Sequence, residues 1–249
     1  MFLRRIIKKF TLTVSPIRQQ CKLYSYRASS RNTIHPTTSL LLGTLRFCSD
    51  SPLKCWNCNY IYKSELFCSK CKALQELPQN LNYFDIMGIR KNYNVANEEV
   101  HQKYRELQKM LHPDKFGNKS EKERQISENF SSLINKAYST LVHPLKRGLY
   151  MLQLKGISIP EETTNLNPEF LMEIMERNEE IENAMGDKDK IFQLVKESNE
   201  VLDTLSKQVA EAFNNEDIET ATKILIKMRY YDTIANRLKR LKHDLGIVE

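Results

Sequence analysis

The stretch from Asn97 to about residue 142 constrains the fold most. Val100, Tyr104, Leu107 and Leu111 recur at helical spacing, and so do Ile126, Phe130, Leu133, Ile134, Ala137 and Leu141. Apolar residues three and four apart line one face of an α-helix. Two such helices, over 97–111 and about 121–142, joined by a short connection, can bury those faces by packing as an antiparallel hairpin. The connection carries His112-Pro113-Asp114. Only 7 glycines and 8 prolines in 249 residues argue against an all-β fold, so the expected class is mostly α.

The net charge of +7 points to nucleic acid or an acidic membrane until its location is considered. Residues 1–49 hold nine Lys/Arg and no acid, which leaves 29 basic against 31 acidic residues in the remainder. That near-neutral remainder removes the main support for nucleic-acid binding. The opening, MFLRRIIKKFTLTVSPIRQQ, is Arg-rich, Ser/Thr-rich and acid-free, with Leu3, Ile6, Ile7 and Phe10 on one side of a helix. This is the composition of a mitochondrial transit peptide, and residues 1–49 are set aside as one. SLLLGTL is too short to span a bilayer, and no membrane insertion is expected.

Beyond the hairpin, HPLKRGLYMLQLKGISIPEETTNLNPEF holds a short helix and then Gly156, Pro160 and Pro168 in polar surroundings. It reads as a linker region. Three further helical patterns follow. The first covers 168–185; the second is marked by Ile191, Leu194, Leu202, Leu205, Val209 and Phe213; the third starts near Asp217 and carries Ile218, Ala221, Leu225, Met228 and Leu238. Gly186-Asp187 and Asn214-Asn215 supply the turns, and a three-helix bundle is the economical packing.

The histidine–proline–aspartate run has several readings. Pro113 separates His112 from Asp114 and restricts the residue before it, so a catalytic dyad is disfavoured. No further metal ligands are near in sequence. A plain turn is the bland alternative. The flanks favour a contact surface: His101, Arg105 and Lys109 fall together away from the core face, and with Lys103 and Lys115 they make a basic stripe leading to the loop. Such a stripe steers an acidic partner.

NYFDIMGI, KYRELQKMLHPDKF and LINKAYSTL together resemble a J-domain, the module that stimulates ATP hydrolysis by DnaK-type chaperones. The resemblance implies that His112, Pro113 and Asp114 dock on the chaperone and that the module does no chemistry itself. No Gly/Phe-rich segment follows. Instead LVHPLKRGLYMLQLKGI and FLMEIMERNEEIENA resemble the HscB/Jac family, the co-chaperones of iron–sulfur cluster biogenesis. In that family a C-terminal bundle holds an IscU-type scaffold while the J-domain recruits the chaperone.

The first bundle helix can also be read directly. With Phe170 at zero on a helical wheel, Ile174, Ile181 and Met185 lie within roughly 60° and form a core stripe. Leu171, Met172 and Met175 fall on a second apolar strip beside Glu176 and Glu179. That strip is either the edge of a wide core face or a partner surface, for which methionine is suited. The family resemblance implies scaffold contact for these five residues and for Tyr230 on the last helix. Asn183 stands where bacterial members tend to show an acid, and no contact is carried over there.

Cys55, Cys58, Cys68 and Cys71 give C-x2-C-x9-C-x2-C. Two such knuckles fit tetrahedral thiolate ligation of one zinc ion, and four cysteines would also accept an iron–sulfur cluster. The glycine usual after each knuckle is absent, since Asn59 and Lys72 stand there. Animal members of the HscB family carry a comparable N-terminal module.

The expected organisation is a transit peptide over 1–49, a zinc module over 50–78, a J-domain over 79–153, a linker over 154–167 and a scaffold-binding bundle over 168–249. The expected function is a co-chaperone, not an enzyme, in the mitochondrial matrix. Its expected partners are a DnaK-type chaperone and an IscU-type scaffold, with no nucleic acid. The sequence leaves open a homodimer and an additional cytoplasmic form. The competing readings are a general J-protein for unfolded clients and a zinc-dependent nucleic-acid-binding protein.

Overall fold

The computed structural model describes residues 53–62, 66–78, 81–159 and 167–246. The expected transit peptide, and residues 160–166 of the expected linker, lie outside these. A two-stranded antiparallel ribbon comes first, with β1 (Leu53–Lys54) paired to β2 (Ile61–Tyr62). Seven helices follow among the described residues: α1 (Tyr83–Met87), α2 (Asn97–Leu111), α3 (Glu121–Leu141), α4 (Pro144–Gln153), α5 (Pro168–Asn183), α6 (Lys188–Asn214) and α7 (Ile218–Asp244). The mostly α class is as expected, and no described helix is long and apolar enough to cross a membrane.

The helix ends follow from local chemistry. Asn82 accepts from the Phe84 and Asp85 amides, while Asp85 returns a bond to the Asn82 amide, closing a capping box on α1. Ser120, Asn167, Asp187 and Asp217 cap α3, α5, α6 and α7 in the same sense, each accepting a bond from a first-turn amide. These caps satisfy amides that the helix itself cannot pair.

α2 and α3 pack as the expected hairpin. Val100, Leu107 and Leu111 face Ile126, Phe130, Ile134, Ala137 and Leu141, all buried. Tyr104 is only half buried and stacks on Tyr138 with ring centroids 4.2 Å apart. Ser127, fully buried, donates to the Leu111 carbonyl at 2.9 Å and so ties α3 to the last turn of α2.

In the bundle, Phe170, Ile174 and Ile181 are buried as the wheel predicts, but Met185 is 58% exposed. α5 ends at Asn183, before the expected residue 185, and Gly186 at φ +91 turns the chain into α6. Met185 therefore leaves the helical register on which its core placement rested, and Ala184 fills the buried position instead.

Helix α4 does more than close the hairpin. Its Leu145, Met151 and Leu152 are buried in a core that also holds the α2–α3 residues, Val209 and Ala210 of α6, and Leu225 and Met228 of α7. The hairpin core thus extends into α6 and α7, while Phe170, Ile174 and Ile181 of α5 pack in a second cluster with Ile191, Tyr231, Ile234 and Leu238. A Cβ placed on Gly148 would lie 2.5 Å from Leu225 Cδ2 and 3.2 Å from Tyr93 Cε2, so only glycine lets α4 approach this closely. Arg147 beside it is 5% exposed and donates from Nη1 to the carbonyls of Val95 (3.1 Å) and Leu141 (2.9 Å). Its guanidinium also sits 5.2 Å from the Tyr93 ring centroid, a cation–π distance. Burial pulls its pKa down, so these carbonyls and the ring are what hold a charge there.

Gly148→Val is expected to destabilise the chain by about 1–3 kcal/mol through overpacking against Leu225 and Tyr93. Urea unfolding followed by circular dichroism measures it; an unchanged midpoint would show that α4 and α7 can separate freely.

Candidate functional site

The first element is the loop after α2. His112 caps α2 in extended conformation, and Pro113 opens a 3-10 turn over Pro113–Phe116. Pro113 suits that place because its fixed φ and missing N–H cost nothing at a helical first position. Phe116 is buried and anchors the turn, so the side chains before it are held outward. The His112 side chain is 51% exposed and that of Asp114 is 89% exposed. The Asp114 amide donates to His112 Nδ1 at 3.3 Å, which leaves the neutral ring's proton on Nε2. His112 Nδ1 also lies 3.4 Å from Asp114 Oδ2. The sequence reading expected Pro113 to keep the two apart; the 3-10 turn folds Asp114 back toward His112 instead.

The basic stripe is partly as expected. Arg105, Lys109 and Lys115 are exposed. His101 is half buried, and its Nδ1 bonds the Tyr138 hydroxyl at 2.8 Å, so it turns toward α3. Lys103 pairs with Glu106 at 3.1 Å.

The second element is one face of α5. Leu171, Met172 and Met175 are 39%, 61% and 63% exposed while Phe170 and Ile174 on the same helix are buried. The second strip is therefore solvent-facing. Glu176 and Glu179 beside it are exposed as well. Tyr230 of α7 is half buried and meets Phe170 edge-on at 5.7 Å, which places it next to the first turn of α5. Tyr231 donates a short hydrogen bond to Glu173, and burial together with that carboxylate pushes its pKa up to about 12. Arg177 bridges to Glu180 (3.0 Å) and to Glu197 of α6 (3.2 Å). These ties hold the rear of α5 while its apolar strip stays open.

The third element is the set of four cysteines. Their sulfurs all lie within 4.8 Å of one another. Cys55 Sγ is 3.6 Å from Cys71 Sγ, and Cys58 Sγ is 3.7 Å from Cys68 Sγ. A tetrahedron with metal–sulfur bonds of about 2.3 Å has edges of about 3.8 Å, so the donor set fits one tetrahedral ion. The two knuckles are built alike: the Asn59 amide donates to the Cys55 carbonyl and the Lys72 amide to the Cys68 carbonyl, both at 2.9 Å. Asn59 (φ 56) and Lys72 (φ 61) take the left-handed conformation that glycine usually supplies. Its absence therefore leaves the geometry intact.

The thiols perturb one another strongly. Burial works to raise Cys55, but the Cys58 and Asn57 amides and neighbouring thiols outweigh it and bring it down to about 6. At Cys58 the Tyr60 amide works downward, yet burial and the three other sulfurs push it up to about 12. Four sulfurs this close cannot all ionise unless a cation sits among them.

Several residues that position this cluster were not foreseen. Gln75, 2% exposed, donates from Nε2 to Cys55 Sγ at 3.4 Å. Trp56 Nε1 donates to the Leu74 carbonyl at 2.7 Å, and Leu74 is fully buried within the hairpin core. The Leu74 amide lies 3.4 Å from Glu123 Oε1 of α3, and Lys122 pairs with Glu76 at 3.0 Å. Glu123 stands three residues after Ser120, a spacing that belongs to a local helix cap, and nothing in that spacing shows that the glutamate also reaches a neighbouring module.

Two family models match the chain: one described as a DnaJ domain over residues 82–150, and one described as the HSCB C-terminal oligomerisation domain over residues 166–239. The chain is 37% identical over 201 residues to the iron–sulfur cluster co-chaperone protein HscB of Homo sapiens, covering 77% of this chain and 83% of that protein. It is 36% identical over 196 residues to the HscB homologue of Arabidopsis thaliana, covering 78% and 77% respectively. The crystal structure of the human protein superposes with a TM-score of 0.71 at 36% identity, over 76% of this chain and 98% of that one. These relatives are named as co-chaperones, not as enzymes. On that identity and coverage, the chain belongs to the HscB family of J-domain co-chaperones for iron–sulfur clusters.

Proposed function

We propose that this chain binds an IscU-type scaffold through the open face of α5 and stimulates the ATPase of a DnaK-type chaperone through the His112–Asp114 loop, promoting cluster transfer. The exposure of Met172 and Met175 on a helix whose other face is buried carries this reading. Large apolar side chains left in water beside Glu176 and Glu179 suit a partner with an apolar centre and a basic rim. The loop supports the second contact, because its anchor Phe116 is buried while His112 and Asp114 remain outside. Holding scaffold and chaperone on one framework raises the effective concentration of one for the other. The protein acts in the mitochondrial matrix in this reading, which the arginine-rich, acid-free residues 1–49 support and imaging of that segment fused to a fluorescent protein checks. The four cysteines hold zinc as a structural ion, lying within the spacing of a closed tetrahedral thiolate site.

His112→Gln should abolish chaperone stimulation while helicity and scaffold binding persist, since the side chain supports no core. Steady-state ATPase measurements decide this, and full stimulation by the variant would sink the loop's assignment. The purified chain should carry one zinc, lost on joint Cys58→Ser and Cys71→Ser replacement with the helices still folded. Elemental analysis showing iron, or no metal, would refute the zinc reading.

Joint replacement of Leu171, Met172 and Met175 by alanine should leave the melting temperature close to that of the parent. Calorimetric titration with scaffold should show a loss of about 2 kcal/mol or more for each central anchor. A large drop in melting temperature would return the strip to the core.

A further inference from the structure

The cysteine module is not a free appendage. Leu74, three residues after the last cysteine, is fully buried in the same core as Ile126 and Phe130 of α3. Trp56, in the first knuckle, reaches across to the Leu74 carbonyl at 2.7 Å. Lys122 Nζ lies 4.9 Å from the Trp56 ring centroid and also pairs with Glu76 at 3.0 Å. Glu123 uses both carboxylate oxygens: Oε1 is 3.4 Å from the Leu74 amide, and Oε2 accepts from Ser120 Oγ at 3.1 Å. Ser120 is the cap of α3, and residues 117–119 join it to the Pro113–Phe116 turn that follows His112, with the Lys119 amide donating to the Phe116 carbonyl at 2.9 Å. A short chain of contacts therefore runs from the knuckles through Leu74 and Glu123 to the end of that loop.

We infer that metal binding at the four cysteines is coupled to the order of the loop and first turn of α3, with Lys122 and Glu123 as the positioning residues that transmit it. Without an ion, the two knuckles are held together by side-chain bonds, from Trp56 Nε1 to the Leu74 carbonyl and from Gln75 Nε2 to Cys55 Sγ. An ion fixes both knuckles and with them the backbone at Leu74. Leu74 then offers α3 a rigid apolar and amide partner, so the start of α3 frays less. Coupling of this kind is reciprocal: whatever firms α3 must tighten metal binding by the same factor. This inference rests on the cysteines being a zinc site and assigns that site a regulatory reach over the chaperone-facing loop.

The test uses the full chain, zinc and a chelator. Amide hydrogen exchange is followed over residues 55–75 and 112–126 with and without zinc. In the parent, zinc should slow exchange in both segments, by roughly tenfold in the second. In Lys122→Ala/Glu123→Ala, zinc should still slow exchange over 55–75 but leave 112–126 unchanged. The same variant should bind zinc roughly tenfold more weakly in a competition titration against a chromogenic chelator. Glu121→Ala is the control, since Glu121 pairs with Arg124 at 2.8 Å in the same turn and takes no part in the contacts with Leu74 and Glu76; its zinc affinity should match the parent's. Slowed exchange over 55–75 alone in the parent, or parental zinc affinity in the double variant, overturns the coupling while the zinc site stands. No change over 55–75 either removes the zinc site and the coupling with it.

Discussion

The close packing of α4 against α7 is the constraint on which the rest of the molecule depends. Gly148 lets Leu225 come within a distance that a Cβ would violate, with Tyr93 packed tightly beside it, and Arg147 fastens the same turn to the carbonyls of Val95 and Leu141. The hairpin core continues through this joint into α6 and α7. A buried arginine with carbonyl and aromatic partners is costly to desolvate, and its directional bonds help hold α4 in one register. The His112–Asp114 loop is mounted on this core through Phe116, and the α5 face on a second cluster built from other residues of α6 and α7. That arrangement suits the proposed role, in which two partners are held on one framework.

The two surfaces use opposite devices to stay open. At the loop, a buried Phe116 and a proline-initiated turn take up the backbone, and short polar side chains are left projecting. On α5, the polar groups at its rear do the anchoring. Arg177 reaches Glu197 and Tyr231 reaches Glu173, while methionines face water. Exposed methionine costs hydrophobic free energy in the free protein, and burial against a partner recovers it. The cysteine module adds a third principle: its small size cannot provide a core of its own, so it borrows one by inserting Leu74 into the hairpin and relies on thiolate ligation for the remainder.

Periodicity and spacing missed the five-residue α1 but were enough to find the long helices, the hairpin, the HPD connection and the tetracysteine set. These are local properties. Three- and four-residue recurrence reports a helix face, and C-x2-C spacing reports a knuckle, because each depends on neighbours within a few residues in the chain. α2 begins and ends where the apolar pattern does, and α3 ends one residue earlier than the pattern suggested. Even the departures at Asn59 and Lys72 resolve locally, since both adopt the left-handed φ that the knuckle needs.

What the chain alone could not decide was which of two chemically similar options each residue takes when remote segments arrive. Leu171, Met172 and Met175 read equally as core or as surface; only the position of α6 and α7, which cover the Phe170–Ile174 side, leaves them in water. Met185 read as core and is exposed, because a helix end two residues early breaks the angular register. His101 read with the basic stripe and instead bonds Tyr138, a residue 37 positions away. Gly148, Arg147 and Glu123 carried no signal of their roles, since those roles are contacts with Leu225, Val95 and Leu74 made across long sequence separations. Secondary structure and ligand spacing are written in short-range pattern, whereas exposure and coupling are set by which distant surfaces meet.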